Sequence, residues 1–411
     1  MSKVYIIGGG ASGLISAIHA AKVGNNVTII EKNNKLGKKI LLTGNGKCNY
    51  WNKDISPVHY NSSNIEILEK IINKNNQEKV LSFFDSLGII PYIKNDYYYP
   101  LSNQAITIKE SLANECTNKK INIIYEEEVQ SITKKNKEFI IKTNKNEYLA
   151  DKVILSTGSL AYPKTGSDGK GYVLAKELNH TVITPLPALT SLITNEKYLK
   201  EWEGIRTNVK LSLYEDNALK KESIGEIQLT NYGISGICTF NLSSIVSRGL
   251  NNNKKEVISI NFLHPLNINT IKEFLNWLDK RNTITPNYTI KEILDKILNY
   301  KLVNIILNIT KTNNTTLDNL SIKEKELLGN TLINLKIPIL GTNSFDNSQT
   351  TTGGIPLTEI NPNTLESLKQ KGLYITGELL DVDGECGGYN LAFAWITGYL
   401  AGISTKGDKN D

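Results

Sequence analysis

The chain opens on a short apolar run, Val4-Tyr-Ile-Ile7, which reads as a buried parallel strand. Glycines crowd the next positions, Gly8 to Gly13, and then Leu14, Ile15, Ile18 and Ala21 recur at helical spacing on one face. A second strand pattern, Asn26–Ile30, ends in Glu31. Strand-like patterning returns over residues 129–158, closing on Lys152-Val-Ile-Leu-Ser-Thr157-Gly158. It appears once more at Leu373-Tyr-Ile-Thr-Gly377-Glu378, ahead of an apolar helical stretch over 391–402. Between these lie segments of a different kind. Val209–Leu213 alternates, and Ile224–Leu229 and Val257–Phe262 read as strands, so an antiparallel domain is predicted there. Residues 266–334 follow a helical period, with Ile271, Phe274, Leu275 and Leu278 on one face. Ile290, Ile293, Leu294 and Ile297 share another, as do Leu302, Ile305, Ile306 and Ile309. Ser321 and Glu324 form a capping-box pattern.

The first thirty-one residues carry a specific chemistry. Strand, glycines, helix, second strand and terminal acid follow in the order of a dinucleotide-binding turn. Gly8 permits the tight exit from the strand, Gly10 lets backbone approach a pyrophosphate, and Gly13 lets the helix lie close to the sheet. Ala11 and Ser12 stand at the helix N-terminus, whose N–H groups and dipole favour phosphate. Glu31 is placed to accept hydrogen bonds from both ribose hydroxyls, which disfavours a 2′-phosphate and hence NADP at this position. The turn alone does not choose between FAD and NAD.

The segment after Glu31 makes that choice. Lys32, Gly37, Lys38 and Lys39 lead into Thr43-Gly44-Asn45-Gly46-Lys47-Cys48-Asn49, a basic glycine-rich loop suited to a pyrophosphate and a planar ring. Val129 in the strand-rich stretch, Thr157-Gly158 and Gly377-Glu378 add strand ends of the kind common in flavoproteins. Asp381 is placed for ribityl hydroxyls, with Asp383 and Glu385 read as solvent-exposed. Gly388, Tyr389, Asn390 and Leu391 begin the last helix. A domain built from both ends of the chain, binding FAD, is therefore expected.

The same residues carry a resemblance. Gly8–Gly13, Thr43–Asn49, Ser156–Ser167, Gly225–Gly236, Thr351–Gly354 and Gly377–Asn390 together resemble the BaiN-like family of FAD-dependent, NAD(P)-linked oxidoreductases, also called the aminoacetone oxidase family. The resemblance runs nearly end to end; Lys47 stands where Arg is commoner. It implies an α/β fold: a discontinuous Rossmann-like FAD domain over 1–188 and 341–411, with an inserted antiparallel, barrel-like β domain over 189–265 plus 335–340. A small helical domain over 266–334 completes it. It also implies non-covalent FAD but fixes no substrate. With no second strand–GxGxxG–helix unit in the chain, NAD(P)H is expected as a transient reductant docking over the flavin, and the leading expectation is hydride passing between flavin N5 and a small or hydrophobic organic substrate.

Composition narrows the alternatives. At 411 residues the chain is long enough for two or three domains. Apolar residues at 40% and charged residues at 21% are globular values. The net charge of +6 is spread along the chain without clusters, so an RNA-modifying flavoprotein stands as a lesser alternative and no nucleic-acid partner is expected. A non-catalytic flavin scaffold is a further alternative. Four cysteines without a CxxC suit a reducing compartment and a cytoplasmic protein, and they exclude the redox pair of a disulfide reductase. No apolar run reaches a membrane span of about 18 residues, and the glycines break any signal-peptide core. Cys48 and Cys386 are candidate redox thiols, although small buried residues are the commoner reading. Tyr97–Tyr99 and Tyr162 suit either a pocket wall or packing. His19, His59, His180 and His264 lack metal-ligand spacing and read as structural. The sequence singles out no catalytic acid or base, and no metal site.

Overall fold

A computed structural model describes residues 1–313 and 315–406. Asn314 and 407–411, the end of the expected 341–411 segment, lie outside the described residues. The chain divides into two compact units, Met1–Pro187 with Phe345–Asp411, and Ala188–Ser344.

The first unit is built on a five-stranded sheet. Its strands run Leu373–Ile375, Lys152–Leu155, Lys3–Ile7, Asn26–Glu31 and Asn122–Tyr125, in that order and all parallel. The central strands are apolar on both faces and almost wholly buried, as a covered parallel sheet requires. The first helix, Ala11–Lys22, leaves the sheet immediately after the glycine turn. The last helix, Tyr389–Ser404, packs along it so closely that a Cβ at Gly398 would lie 2.5 Å from the Ser12 carbonyl oxygen. The chain's two ends thus share one core. An antiparallel three-stranded sheet, Val129–Lys135, Glu138–Thr143 and Glu147–Ala150, flanks it.

The second unit holds a seven-stranded sheet. The long hairpin Arg206–Glu215 and Ala218–Thr230 forms its middle, and Glu256–Asn261 pairs with the outer side of the hairpin. Leu335–Ile339 pairs with Glu256–Asn261, and its direct continuation, Gly341–Thr342, pairs with Leu192–Ile193 at the other edge. Leu340 N–H also donates to Ile193 O (2.9 Å). One continuous stretch of chain therefore joins both edges and makes the sheet barrel-like, leaving no long open edge.

Helices Ile271–Ile284, Tyr300–Thr310 and Ile322–Ile333 share the core of this sheet. Their stripes are core positions at Phe274, Leu278, Leu302, Ile305 and Ile306, while Ile309 is exposed. Ile290–Leu294 is a helix of only five residues. Ser321 and Glu324 cap Ile322–Ile333 reciprocally, as their spacing predicts. Among the described residues, no helix is long and apolar enough to cross a membrane.

Candidate cofactor-binding site

The glycine turn has three distinct geometries. Gly8 adopts φ +100°, and a Cβ there would lie 2.6 Å from Ser156 O. Gly13 has no room for a Cβ, which would lie 2.0 Å from Gly8 O. Gly10 differs from both. Its backbone is extended at φ −81° and ψ −164°, open to any residue, and a Cβ there would meet no protein atom within 4 Å. Neither conformation nor packing within the protein calls for glycine at this position. The bare backbone at the N-terminus of Ala11–Lys22 is a ledge that a side chain would fill. The first N–H groups of that helix, at Ala11, Ser12 and Gly13, have no partner within the helix, so the ledge is suited to phosphate.

Glu31 ends the second strand directly beneath this turn and is buried. One carboxylate oxygen accepts from Gly9 N–H (2.8 Å), and the other from Asn33 N–H (2.8 Å) and Asn33 Nδ2 (2.7 Å). Rather than standing free for ribose, the carboxylate first ties the turn to the loop that follows. A carboxylate has about four acceptor positions, so capacity for one hydroxyl remains. Gly37 N–H donates to Gly9 O (2.9 Å), pinning the loop on the other side.

The basic residues are also held. Lys32 pairs with Asp168 (2.8 Å) and Glu128 (3.8 Å), which ties the loop to the strand begun by buried Val129. Lys38 donates to Asn33 Oδ1 (2.7 Å). Lys39 pairs with Glu378 (2.6 Å), which also accepts from Ser159 Oγ (3.1 Å). This joins the loop to Thr157-Gly158 and Gly377-Glu378. A Cβ on Gly377 would lie 2.8 Å from Ser12 Oγ, so the strand end also abuts the first helix. An open polar cleft of ≈ 360 Å³, lined by Lys32, Asn33, Glu128 and Gly166 among others, adjoins this cluster.

The Thr43–Asn49 loop turns through left-handed Gly44 and Asn45 and closes with Cys48 N–H donating to Thr43 O (3.0 Å). Thr43 Oγ1 donates to Ile40 O (2.6 Å), and Gly46 is left-handed at φ +81°. With its NH2 turned toward two carbonyls, Asn49 donates to Trp51 O (2.8 Å) and Tyr98 O (3.2 Å). Gly388 is left-handed at φ +93° and stands 2.9 Å, measured from a Cβ, from the Asn49 amide. Asn390 grips both backbone groups of Gly384, accepting from its N–H (2.9 Å) and donating to its C=O (2.8 Å). Leu391 packs partly buried on the core. Asp381 is fully buried and accepts from Ser63 N–H (3.0 Å).

Two expectations need correction. Asp383 is 1% exposed, not solvated, and accepts from Asn61 Nδ2 (2.9 Å). Glu385 is half-buried and pairs with His59 (3.0 Å). Both are drawn in because Tyr60–Ser62 pairs antiparallel with Val382–Gly384, a contact across more than three hundred residues that the local pattern does not reveal. Cys48 is buried with its thiol pushed up to about 12 by burial, and the Cys386 thiol is also pushed up to about 12 by burial first and Glu385 second. Both stay thiols near neutrality, and all four cysteines are free of disulfides. Sequence reasoning passed over Asn33 and Ser159. For Asn33 the signal was its place two residues beyond a strand-ending acid, an Asx-type turn position.

The glycine turn, the acid beneath it and the long C-terminal return invite comparison with known chains. Residues 2–404 match the family described as HI0933-like protein Rossmann domain. The chain belongs to the HI0933-like family. It is 37% identical over 98% of both chains to a 3-dehydro-bile acid delta(4,6)-reductase of Clostridium scindens. It is 28% identical, again over 98% of both, to a ribosomal RNA dihydrouridine synthase of Haemophilus influenzae. A protein of the same name from Escherichia coli is 27% identical, over 96% of this chain and 95% of its own. As an HI0933-like protein the chain is an FAD-dependent oxidoreductase on a Rossmann-like fold. The residues present fit the cofactor, because the Gly10 ledge is shaped for a ligand and not for the protein's own packing. Gly8 to Gly13, Glu31, Lys38, Lys39, Asn49 and Gly388 are the residues that would hold it. Bound there, FAD supplies the hydride chemistry that side chains lack.

Proposed function

We propose that the chain is a cytoplasmic, NAD(P)H-linked reductase of carbon–carbon double bonds conjugated to a carbonyl, acting on a small hydrophobic molecule. One observation carries this reading: the full-length relatives share that chemistry by name. A delta(4,6)-reductase of a 3-dehydro-bile acid saturates ring double bonds in line with a 3-oxo group. A dihydrouridine synthase saturates a uracil double bond beside a carbonyl. For this chain the balance, per double bond saturated, is C=C–C=O plus NAD(P)H plus H⁺ giving CH–CH–C=O plus NAD(P)⁺. For the double bond beside the carbonyl the hydride ends on the β-carbon and the proton on the α-carbon; for the second, vinylogous bond of a dienone they end on the δ- and γ-carbons.

The steroid-like class is preferred because identity is higher to the bile-acid enzyme, 37% against 28%, and the net charge of +6 is modest. A uracil base in RNA is the second reading, favoured by the two relatives that carry that name. Here NAD(P)H docks transiently, since the chain's one glycine fingerprint of this kind is committed to FAD.

The test is anaerobic. The purified protein is titrated with NADH and with NADPH while the flavin band is followed. The reduced protein is then mixed with a 4,6-dien-3-one steroid or with unmodified ribosomal RNA. Bleaching by a nicotinamide and recovery of the band with the steroid are expected. Recovery with RNA alone would move the assignment to the second reading, and recovery with neither would refute double-bond reduction.

A further inference from the structure

Just past helix Lys170–Glu177 lies a cluster that cofactor binding leaves unused. Asn179 is left-handed at φ +67°, and His180 follows with its side chain fully buried. His180 Nδ1 lies 2.8 Å from Glu359 Oε2, and Nε2 lies 2.9 Å from Ser367 Oγ. Serine, histidine and acid thus stand in the bond order of a nucleophilic triad. Ser367 is nonetheless no nucleophile. It is 5% exposed, and its oxygen accepts from Lys369 N–H (3.0 Å) and Gln370 N–H (2.9 Å). Both lone pairs of the hydroxyl are in use. That count fixes the protons. Ser367 Oγ donates its own hydrogen to His180 Nε2, so the proton of the neutral imidazole sits on Nδ1 and is donated to Glu359.

Glu359 stays a carboxylate. Lys369 Nζ (2.6 Å) and Thr181 N–H (3.0 Å) also donate to it. Burial opposes its charge, but these bonds and the one from His180 outweigh burial and bring its pKa down to about 2. Burial sets the His180 pKa below the ordinary imidazole value, and Lys369 lowers it further, with Glu359 pulling against them. Those two are the charged groups facing the ring; Lys176 and Glu177, ahead of it on its own helix, are exposed. A proton on Nε2 would find no acceptor. Ser367 Oγ would then face three N–H donors with two lone pairs, and its own hydrogen would lose its partner. The cluster also supports the cofactor site. At the start of helix Lys170–Glu177 a Cβ on Gly171 would lie 1.8 Å from Thr157 Oγ1, and Tyr172 O–H donates to Glu378 O (3.2 Å). Ser367 N–H donates to Leu373 O (2.7 Å), at the head of the strand that leads into Gly377-Glu378. Thr157 and Gly377-Glu378 are therefore braced by two routes that meet at His180.

We propose that Ser367, His180 and Glu359 form an acid-opened latch, which holds FAD firmly in the neutral protein and loosens it when His180 takes a proton. The proposal depends on FAD binding and not on which substrate is reduced. Because the ring is fully buried, a proton from solvent reaches Nε2 only when the Ser367 turn opens locally. One proton is taken up per opening, and no covalent bond changes. The folded chain binds this proton less tightly than the unfolded chain, where imidazole titrates near 6.5. The latch's contribution is therefore complete above about pH 6.5 and is lost as pH falls below it. Glu359 acts in a lower window, since its contribution is lost only below the unfolded carboxyl value of about 4.3.

The test uses the full-length FAD-loaded protein, ¹⁵N-labelled at histidine. The chain has four imidazoles, and the signal missing from His180→Gln assigns His180. Nuclear magnetic resonance should show the Nδ1–H tautomer and a titration midpoint below 6.5. Ser367→Ala removes the donor that favours the neutral ring, so it should raise that midpoint. The second readout is FAD affinity, followed by flavin fluorescence from pH 7.5 to pH 5. The dissociation constant of the wild type should rise as pH falls, by up to about tenfold per pH unit, the limit for one linked proton. His180→Gln should show a flatter slope. His19, whose burial brings its pKa down to about 4, is present in both proteins and contributes equally. An Nε2–H tautomer in the wild type, or a midpoint at 6.5 or above, would overturn the latch. So would FAD affinity that does not change over this range, or the same slope in His180→Gln, either of which leaves a structural clasp. A wild type that takes up no FAD at pH 7.5 fails the cofactor assignment instead, and the latch falls with it.

Discussion

At the scale of single residues, Gly10 separates the needs of the fold from those of a ligand. Gly8 and Gly13 are glycine because the protein leaves them no alternative: one is left-handed, and both would drive a Cβ into backbone. Gly10 is under neither constraint. Gly10→Ala should therefore leave apo stability within about 0.5 kcal/mol, the range for a tolerated substitution, while lowering the flavin content of the purified protein. Gly10→Val should abolish flavin retention with the circular-dichroism spectrum unchanged. A Val variant that purifies with full flavin would remove phosphate from this turn. Glu31 predicts a different pattern. Its carboxylate holds Gly9 and Asn33 before it holds any ligand, so Glu31→Ala should lower both apo melting temperature and FAD affinity. Charge-assisted hydrogen bonds contribute about 1.5–3 kcal/mol, so affinity should fall roughly ten- to a hundredfold. Fluorescence titration with FAD reads this directly, and an unchanged Kd would leave Glu31 as a loop clamp alone.

At the scale of elements, the site depends on two helices from opposite ends of the chain lying almost backbone to backbone. Gly398 is the tighter of the two glycines on the last helix, with a Cβ 2.5 Å from Ser12 O and 2.6 Å from Ile15 Cγ2. Gly398→Leu should cost at least the 1–3 kcal/mol or so of an overpacked core. Because the overpacking pushes on the first helix, which carries Ser12, flavin should be lost along with stability, and differential scanning calorimetry with flavin absorbance tests both together. The pattern of apolar positions made both helices and all three of the sheet's central strands legible, since each is long or strongly apolar. The glycine fingerprint was legible for the same reason: its function needs residue types at fixed short spacing. What was not legible was long-range pairing. The burial of Asp383 and the pairing of Glu385 with His59 follow from a three-residue bridge between distant segments, and nothing in the hydropathy of Val382–Gly384 signals it. The five-residue helix Ile290–Leu294 fell short of its stripe, because Ile297 lies beyond the helix yet still packs on the same core. Apolar spacing reports burial more faithfully than it reports helix ends.

At the scale of the whole molecule, the chain has two hydrophobic cores, one in each compact unit, so a single unfolding transition is not expected. FAD binding should raise only the transition of the unit containing the glycine turn, by an amount that grows with free flavin. The other unit carries its own reporter. Glu256 is buried, and neither carboxylate oxygen has a hydrogen-bond partner. It faces Glu215 across the antiparallel pair and lies against Gly249, where a Cβ would be 1.8 Å from its Oε1. Burial first, then the charges of Glu215 and Asp216, push its pKa up to about 7; Lys220 only partly offsets them. The folded chain therefore binds this proton more tightly than the unfolded chain, where a carboxyl titrates near 4.3. Between about pH 4.3 and 7 the folded state holds more protons, so stability must fall as pH rises through that window and level off above it. Glu256→Gln, which removes the charge but not the shape, should flatten this slope and raise the second unit's melting temperature at pH 8. The flavin-dependent transition should stay where it was. A calorimetric scan at pH 5 and pH 8, with and without FAD, separates the two units. If the Gln variant kept the wild-type slope, some group other than Glu256 would govern the acid response of the barrel-like unit.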